Sequence, residues 1–240
     1  MDEKLKMIVE RTKDERGKRI FYVPHCVLNE NARWTGIAYR KGCIDEIVDE
    51  LQKNDIAIVQ MPCPEQLAWG GVIKQDSLRI MCTKGTLRYI LRKLSFWKFY
   101  IKSLIVYNAL AKRIVKQIKD YIDTGHEVVG IMGIKGSPSC GLNVALNLKQ
   151  TWEYFAAMPL EKLSPRMYFE QNFMMPDSGL YVKALMKHLE KQKVNVQWYE
   201  EDWYWEGKYR DRLVRVTPPL FGLKVSAKDY IKKDRNEKEG

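Results

Sequence analysis

The sequence predicts an α/β protein: a Rossmann-like three-layer domain with a mostly parallel sheet, followed by a short C-terminal extension. Three observations support this fold class. Short apolar strands alternate with amphipathic helices along the chain, which is the pattern of parallel sheets. Several of the strands run into loops rich in proline and glycine. The 240 residues, 45% of them hydrophobic, are enough to bury a substantial core.

The first two predicted strands enclose a helix. Arg19 to Pro24 has the sequence RIFYVP, and the second run, Asp55 to Val59, also carries β-branched residues. Between them, the segment CIDEIVDELQKN has apolar residues at helical spacing and acidic residues on its other face. The apolar positions are Ile44, Ile47, Val48 and Leu51. This order predicts a βαβ unit.

The rest of the domain continues the alternation. A long basic segment from Thr86 to Ile122 predicts one or two helices, and Val128 to Ile131 predicts the third strand. Leu180 to Gln192 then has helical periodicity, and Val194 to Tyr199 has the composition of a strand. These elements complete a mostly parallel sheet covered by helices.

The chain divides into three segments. Residues 1–18 are a charged N-terminal segment, 19–202 the α/β domain with a basic helical insert at about 77–119, and 203–240 the C-terminal extension. The first segment lacks the apolar centre of a signal peptide, and five cysteines do not suggest a secreted disulfide framework, so we expect a cytoplasmic protein. In the extension, Trp203, Tyr204 and Trp205 either pack against the domain or stack on a base.

The net charge of +11 is concentrated in one part of the chain. Ser77 to Lys119 contains eleven Lys and Arg residues and no acidic residue, whereas the remainder has 30 basic and 30 acidic residues. Aromatic residues are interleaved with these charges, and no apolar piece of the window is long enough to span a bilayer. The pattern is consistent with nucleic acid, an anionic membrane surface or a solvated helix face. For nucleic acid, the candidate contacts are Lys93, Lys98 and Lys102.

Three cysteines follow three of the predicted strands. Cys26 comes just after the first strand, Cys63 lies between two prolines after the second, and Cys140 lies in GSPSCG after the third. Loops that follow parallel strands emerge at one edge of the sheet, where such folds bind ligands. We therefore expect the three cysteines to converge there. Three thiolates can hold a zinc ion with one open position, or an iron–sulfur cluster with one iron that lacks a protein thiolate.

The other two cysteines do not fit this pattern. Cys43 opens the predicted helix on its apolar face, and Cys82 is predicted at a strand edge in LRIMCTKG. We interpret both as packing residues rather than as fourth ligands, because cysteine is often buried as a small hydrophobic residue.

The motifs around Cys26, Cys63 and Cys140 resemble those of the DUF523 family, the 2-thiouracil desulfurase-like iron–sulfur proteins. CVLNENARWTG contains the first cysteine with its Arg and Gly, CPEQLAWGG contains a CPE motif followed by paired glycines, and KGSPSCG contains SPSCG. The likeness continues into GLYVKALMKHLEKQKVNVQWYEED and covers about Arg19 to Asp202. The order of the motifs, each after a strand, is more specific than any one of them.

The resemblance implies a 4Fe–4S cluster held by Cys26, Cys63 and Cys140, with its fourth iron open to a sulfur ligand. It also implies desulfuration of a thiocarbonyl nucleobase, in which C=S becomes C=O. The substrate would be thiouracil or a thiolated uridine, either free or within tRNA.

Four further residues have expected roles at such a site. Glu65 is the candidate for positioning or deprotonating water, or it caps the short PEQLAW helix or bonds a loop amide. Ser137 and Ser139 are candidates for hydrogen bonds to substrate or cluster sulfur, or they are turn formers. Arg33 is a candidate for binding substrate or nucleic acid.

Two alternatives to desulfuration stay open at this point. The reverse sulfur transfer would make the protein a tRNA-thiolating enzyme. A non-catalytic nucleic-acid-binding module, in which a cysteine-bound metal braces the fold, would use the same cysteines without an open coordination position.

Overall fold

The parallel sheet predicted from the sequence forms the centre of the molecule. The computed structural model describes residues 2–12, 14–38, 40–163 and 173–201, and the backbone alone of 204–209 and 212–216. Four parallel strands lie in the order β2-β1-β3-β6, with β1 (Arg19–Pro24) and β3 (Glu127–Ile134) inside and β2 (Ala57–Met61) and β6 (Trp198–Glu201) outside. Helices flank this sheet. The α/β, Rossmann-like fold class is therefore confirmed.

The remaining elements connect and cover these strands. The helices are α1 (Glu3–Arg11), α2 (His25–Leu28), α3 (Asp45–Lys53), α4 (Pro64–Ala68), α5 (Gln75–Leu78), α6 (Leu87–Ile90), α7 (Arg92–Asp123), α8 (Leu148–Ala157) and α9 (Leu180–Lys191), with 3-10 turns at Glu30–Ala32 and Leu160–Lys162. Two short strands, β4 (Ala145–Leu146) and β5 (Met174–Met175), pair with each other.

The βαβ unit forms as the apolar spacing predicted. β1 and β2 pair in parallel from Ile20 opposite Ala57 to Pro24 opposite Met61. Between them, α3 turns Ile47 and Leu51 into the core. Burying such side chains contributes about 1.5 to 3 kcal/mol each, so this face fixes the helix on the sheet.

The long basic segment folds into α6 and α7. The 32-residue α7 packs against α4, α8, α9 and β3. Its buried face repeats at helical spacing and includes Phe96, Phe99, Ser103 and Tyr107. None of the described helices, α7 included, is apolar over enough residues to cross a bilayer.

Two local predictions were wrong. Cys82 does not lie at a strand edge: it is in a turn after α5, with a left-handed φ of 53°, and its N–H donates to the Phe155 carbonyl at 2.8 Å. The last strand of the sheet is Trp198–Glu201 and not Val194 to Tyr199, because pairing with β3 begins only at Trp198.

The C-terminal extension contributes a hairpin of β7 (Tyr204–Tyr209) and β8 (Arg212–Val216), described by its backbone alone. Trp203 and the side chains of Tyr204 and Trp205, which were candidates for base stacking, lie outside the described residues.

Candidate cysteine-lined active site

The carboxyl edge of the sheet opens onto a cavity of about 190 Å³ that three cysteines line. Cys26 lies two residues past the end of β1, Cys63 two past the end of β2, and Cys140 six past the end of β3. Loops after parallel strands share one edge, which accounts for this meeting of residues that are distant in sequence. Cys140 is buried, and the other two are half-buried.

Cys63 is held where β2 passes into α4. Its Sγ accepts a hydrogen bond from the Gln66 N–H at 3.4 Å, so the thiol caps the helix. Pro64 occupies the first helical position, where no N–H donor is needed. After α4, Gly70 and Gly71 take φ values of 85° and 86°. This left-handed turn is accessible mainly to glycine and closes the CPE segment.

Cys140 lies in a loop that hydrogen bonds fix to the end of β3. The Cys140 N–H donates to Ser137 Oγ at 3.0 Å, and its carbonyl accepts from the Ile134 N–H at 2.8 Å. The Gly141 N–H donates to the Ser137 carbonyl at 3.0 Å. A Cβ on Gly141 would lie 2.4 Å from the carbonyl oxygen of Val144. The glycine of SPSCG is therefore required by close backbone packing.

Helix α9 holds this loop from the other side. Its first N–H groups have no partners within the helix, and they donate to loop carbonyls: Leu180 to Pro138 and Tyr181 to Ser139, both at 3.0 Å. Gly179 packs so closely that a Cβ there would lie 2.4 Å from the Ser139 carbonyl. The position of the Cys140 loop therefore depends on the docking of α9.

Glu65 lines the same cavity and is tied to the Cys140 loop. Ser139 Oγ donates to Glu65 Oε1 at 2.7 Å, and Ser137 Oγ lies 3.2 Å from Ser139 Oγ. Burial raises the pKa of Glu65, although the charges of Lys74 and Arg33 and the Ser139 hydrogen bond oppose this shift. A carboxyl group whose pKa is raised is a stronger proton acceptor once it is ionised.

The Cys63 and Cys140 thiols are in surroundings that disfavour a free thiolate. Burial raises the pKa of Cys63 to about 12, and the Glu65 charge adds to the effect. Burial, with the charges of Cys26, Glu65 and Cys63, raises the pKa of Cys140 well above its usual range. A bound metal would reverse this preference, because its positive charge stabilises the thiolate form.

Arg33 is held at the cavity by two buried carboxylates. Its guanidinium lies 3.3 Å from Glu30 and 3.3 Å from Glu201. The Arg33 side chain is only 7% exposed. Burial alone would lower the pKa of Arg33, but the charges of Glu201, Cys26 and Glu30 raise it, so the guanidinium stays positive. A fixed cation thus lies beside the cysteines.

Aromatic residues supply much of the remaining cavity wall. Phe99 and Trp152 have ring centroids 4.7 Å apart, and Trp34 and Phe155 have centroids 5.9 Å apart. The Trp34 indole N–H donates to Ser77 Oγ at 2.8 Å, which satisfies its polar atom within the protein. The apolar lining residues include Trp34, Ile37, Trp69, Ile80, Met81, Phe99, Ile134, Leu146, Leu148, Trp152, Phe155 and Met174. Such a wall suits a flat, uncharged ring.

The structure does not bring every candidate residue to this cavity. Lys93, Lys98 and Lys102 are exposed on α7, whose buried face supplies Phe99 to the cavity wall. Lys102 pairs with Asp76 at 3.0 Å. The lysines therefore form a surface feature apart from the cysteines.

The two remaining cysteines also lie elsewhere. Cys43 is half-buried just before α3, and Cys82 is half-buried in the turn after α5. Neither lines the cavity as the structure describes it.

Sequence reasoning did not single out three residues that shape the site. Glu30 and Glu201 hold Arg33, as described above. Lys74 is fully buried, and its Nζ donates to the Ala32 carbonyl and to the Val72 carbonyl, the latter at 3.2 Å. The edge argument applied to the cysteines would also have found Glu201, because it ends β6 at the same edge of the sheet.

The donor set fits an iron–sulfur cluster by its chemistry. Three buried or half-buried thiols line one cavity, and a fixed guanidinium lies beside them to offset negative charge. Among the described residues, no group of three or more His, Cys, Asp or Glu side chains is arranged to hold a single metal ion. A 4Fe–4S cluster makes a different demand, because each cysteine binds a separate iron atom.

Fold and site together define an α/β protein with a cysteine-lined cavity at the carboxyl edge of a parallel sheet. The chain is similar to an uncharacterized protein, MJ0003, of Methanocaldococcus jannaschii: the two are 27% identical over 127 residues, which is 53% of this chain and 70% of that protein. No protein-family model matches the chain. No solved structure matches it either.

Proposed function

We propose that this protein removes sulfur from the thiocarbonyl group of a nucleobase, using a 4Fe–4S cluster held by Cys26, Cys63 and Cys140. One observation carries the proposal: three cysteines share a cavity with a hydrogen-bonded carboxyl group and with aromatic walls. The motif resemblance to DUF523 proteins supports the same chemistry. The substrate is thiouracil or a thiolated uridine.

In this proposal the cavity holds the substrate by its ring. Phe99, Trp152, Trp34 and Phe155 offer aromatic surface to a flat heterocycle. When bound, the cluster supplies an open iron with affinity for sulfur. Arg33 stays positive and offsets the negative charge that three thiolates bring into a buried site.

Glu65 is the proposed general base. It takes a proton from the water that attacks the thiocarbonyl carbon, and it later returns a proton to the departing sulfur. The net reaction converts C=S and water to C=O and hydrogen sulfide, so atoms and charge balance. Ser139 orients the carboxylate by donating to Oε1, and Ser137 keeps Ser139 in place. Positioned proton transfer of this kind contributes about 10² to 10⁴ in rate.

Thiolated tRNA as the substrate, tRNA thiolation by the reverse transfer, and a non-catalytic metal-braced module stay predictions from the sequence. The first rests on the charge of the segment that forms α6 and α7. The second uses the same cysteines and differs only in direction. The third predicts a closed metal site and no turnover.

Anaerobic purification followed by iron, sulfide and zinc analysis tests the proposal. We expect iron and acid-labile sulfide in the ratio of a 4Fe–4S cluster, and conversion of thiouracil to uracil with release of sulfide. The matched control is the same protein after removal of iron by a chelator, which should not turn over. Zinc alone, or iron-loaded protein that leaves thiouracil unchanged, would contradict the proposal.

A further inference from the structure

An apolar stripe runs along the outer face of α6 and α7. Six of its residues are each between 53% and 72% exposed: Leu87, Ile90, Leu94, Trp97, Ile101 and Ile105. In α7, Leu94, Trp97, Ile101 and Ile105 are three or four residues apart, so they lie along one side of that helix, and Leu87 and Ile90 of α6 precede them. Single exposed apolar residues are ordinary on protein surfaces, but a continuous row of this length marks a contact surface.

The same helix already has a complete inward face. Phe96, Phe99 and Ser103 are buried against the domain. The outer stripe is therefore additional to what folding requires. A helix that only covers a core has polar residues on its outer side.

Basic residues border the stripe. With about 100° of rotation per residue, Lys93 lies on one side of the line through Leu94, Trp97 and Ile101, and Lys98 lies on the other. Both lysines are exposed, and Ser77 to Lys119 contains no acidic residue. The surface thus combines large apolar side chains with the exposed positive charge of Lys93 and Lys98.

This combination disfavours two of the conceivable occupants. A second copy of the chain paired through the same stripe would bring its lysines against Lys93 and Lys98, and like charges repel. RNA would satisfy the lysines, but Leu94 and Ile101 offer no ring on which a base can stack. Trp97 is the only aromatic residue among the six.

We propose that the outer face of α6 and α7 docks on the surface of an anionic phospholipid bilayer. The Leu, Ile and Trp side chains enter the boundary between headgroups and acyl chains, while Lys93 and Lys98 extend to lipid phosphates. This proposal does not depend on the cysteine site, so either one can fail while the other holds.

The length of the stripe sets the geometry of docking. Within α7, Leu94 to Ile105 alone spans about 16 Å at 1.5 Å per residue. Because the opposite face of α7 is fixed to the core, the helix lies parallel to the bilayer surface and does not cross it. Only the outer side chains leave water.

Vesicle sedimentation with the full chain tests this docking. We expect the protein to sediment with vesicles of phosphatidylcholine containing roughly a third phosphatidylglycerol, to remain in solution with phosphatidylcholine alone, and to bind less at high salt. Trp97 fluorescence should shift to the blue on binding, and the W97F variant should lose that part of the shift while still binding.

Two variants separate the apolar and charged contributions. Replacing Leu94, Trp97 and Ile101 with Ser should lower vesicle binding at least about tenfold. Each replacement removes an apolar side chain whose transfer from water into the bilayer boundary favours binding. Replacing Lys93 and Lys98 with Gln should lower it about 25-fold, at roughly fivefold per basic residue near an anionic surface. The matched controls are Leu160→Ser and Lys53→Gln, which alter exposed residues outside the stripe and should bind like wild type.

Three results would overturn the proposal. The first is that the protein does not bind anionic vesicles, or that the Ser variant and the Gln variant bind as well as their controls. The second is retention of tRNA that Lys93→Gln with Lys98→Gln abolishes while vesicle binding is absent. The third is a stable dimer by light scattering that the Ser variant converts to monomer, because a second copy would then cover the stripe.

Discussion

The cysteine cavity and the outer face of α7 are built in opposite ways. The cavity collects Cys26, Cys63 and Cys140 from segments that follow three separate strands, and hydrogen bonds to Ser137 and to the end of β3 hold the Cys140 loop. The α7 face is one continuous segment whose side chains point outward by helical period alone. Changes at the cavity should therefore act through the fold, whereas changes on the α7 face should act only where they are made. The following experiments test that difference.

The largest effect is expected from removing a cysteine of the cavity. Cys140→Ala, Cys26→Ala or Cys63→Ala should each abolish stable cluster loading, because two thiolates cannot hold the group in place of three. Iron and sulfide per protein chain, measured after anaerobic purification, report the loss.

The cysteines outside the cavity provide the matched controls. Cys43→Ala and Cys82→Ala should load iron like wild type. Full loading of Cys140→Ala would show that this residue is not a ligand, and loss of loading in either control would show that the cavity is not the only site that matters.

The next effect is expected at the carboxyl group of the cavity. Glu65→Gln should keep the cluster and slow turnover on the order of 10²- to 10⁴-fold, because the amide keeps the shape but cannot accept a proton. Turnover of thiouracil per loaded cluster is the measurement. Glu190→Gln, on the exposed side of α9, should turn over like wild type. Wild-type turnover by Glu65→Gln would make Glu65 a structural residue.

A smaller effect is expected from displacing the Cys140 loop without touching a ligand. Gly179→Ala places a Cβ against the Ser139 carbonyl and should lower the free energy of unfolding by about 1 to 3 kcal/mol, as overpacking typically does. The loaded fraction should fall with it. Gly42→Ala, where a Cβ meets nothing within 4 Å, should change neither quantity. Urea unfolding measures the free energy of unfolding of both variants and of wild type. A Gly179→Ala protein as stable as wild type would show that α9 does not fix the loop.

The smallest effect concerns thiol reactivity in the metal-free protein. Burial raises the pKa of Cys63 to about 12, so its thiolate fraction should still rise about tenfold per pH unit well above pH 9. Because the fold favours the neutral form of the Cys63 thiol, this thiol contributes to the free energy of unfolding. The contribution is fully present below the unfolded-chain pKa of about 8.5 and is lost as the pH rises toward 12. Iodoacetamide alkylation followed by mass spectrometry checks the rate. A plateau near pH 9 would contradict the raised pKa.

The sequence predicts features that depend on neighbouring residues better than features that depend on contacts between residues far apart in the chain. The βαβ unit and the long basic helices follow from local periodicity, as in the spacing of Ile47 and Leu51, and the structure confirms them. Parallel topology was enough to place the three cysteines at one edge. Their role as ligands, and that of Glu65 as base, stay predictions.

Other features could not be predicted because they depend on tertiary partners. Cys82 follows a short apolar run that resembles a strand, but its N–H bonds to Phe155 on α8 and the chain turns there. The sequence shows that the α7 segment is basic and aromatic, yet only packing decides that Phe99 points inward and Trp97 outward. The Arg33 pairing with Glu201 has no local signal at all.

That ion pair also sets an order of events during synthesis. Arg33 and Glu201 are separated by 168 residues, and the Cys140 loop is completed only when α9 docks on it. Until residue 201 has left the ribosome, Arg33 lacks one of its two carboxylate partners, and until α9 has emerged the Cys140 loop lacks the N–H groups that hold it. Nascent chains would therefore expose the cysteines one after another, with the finished cavity as the last product of folding. Insertion of the proposed cluster would then follow the emergence of residue 201.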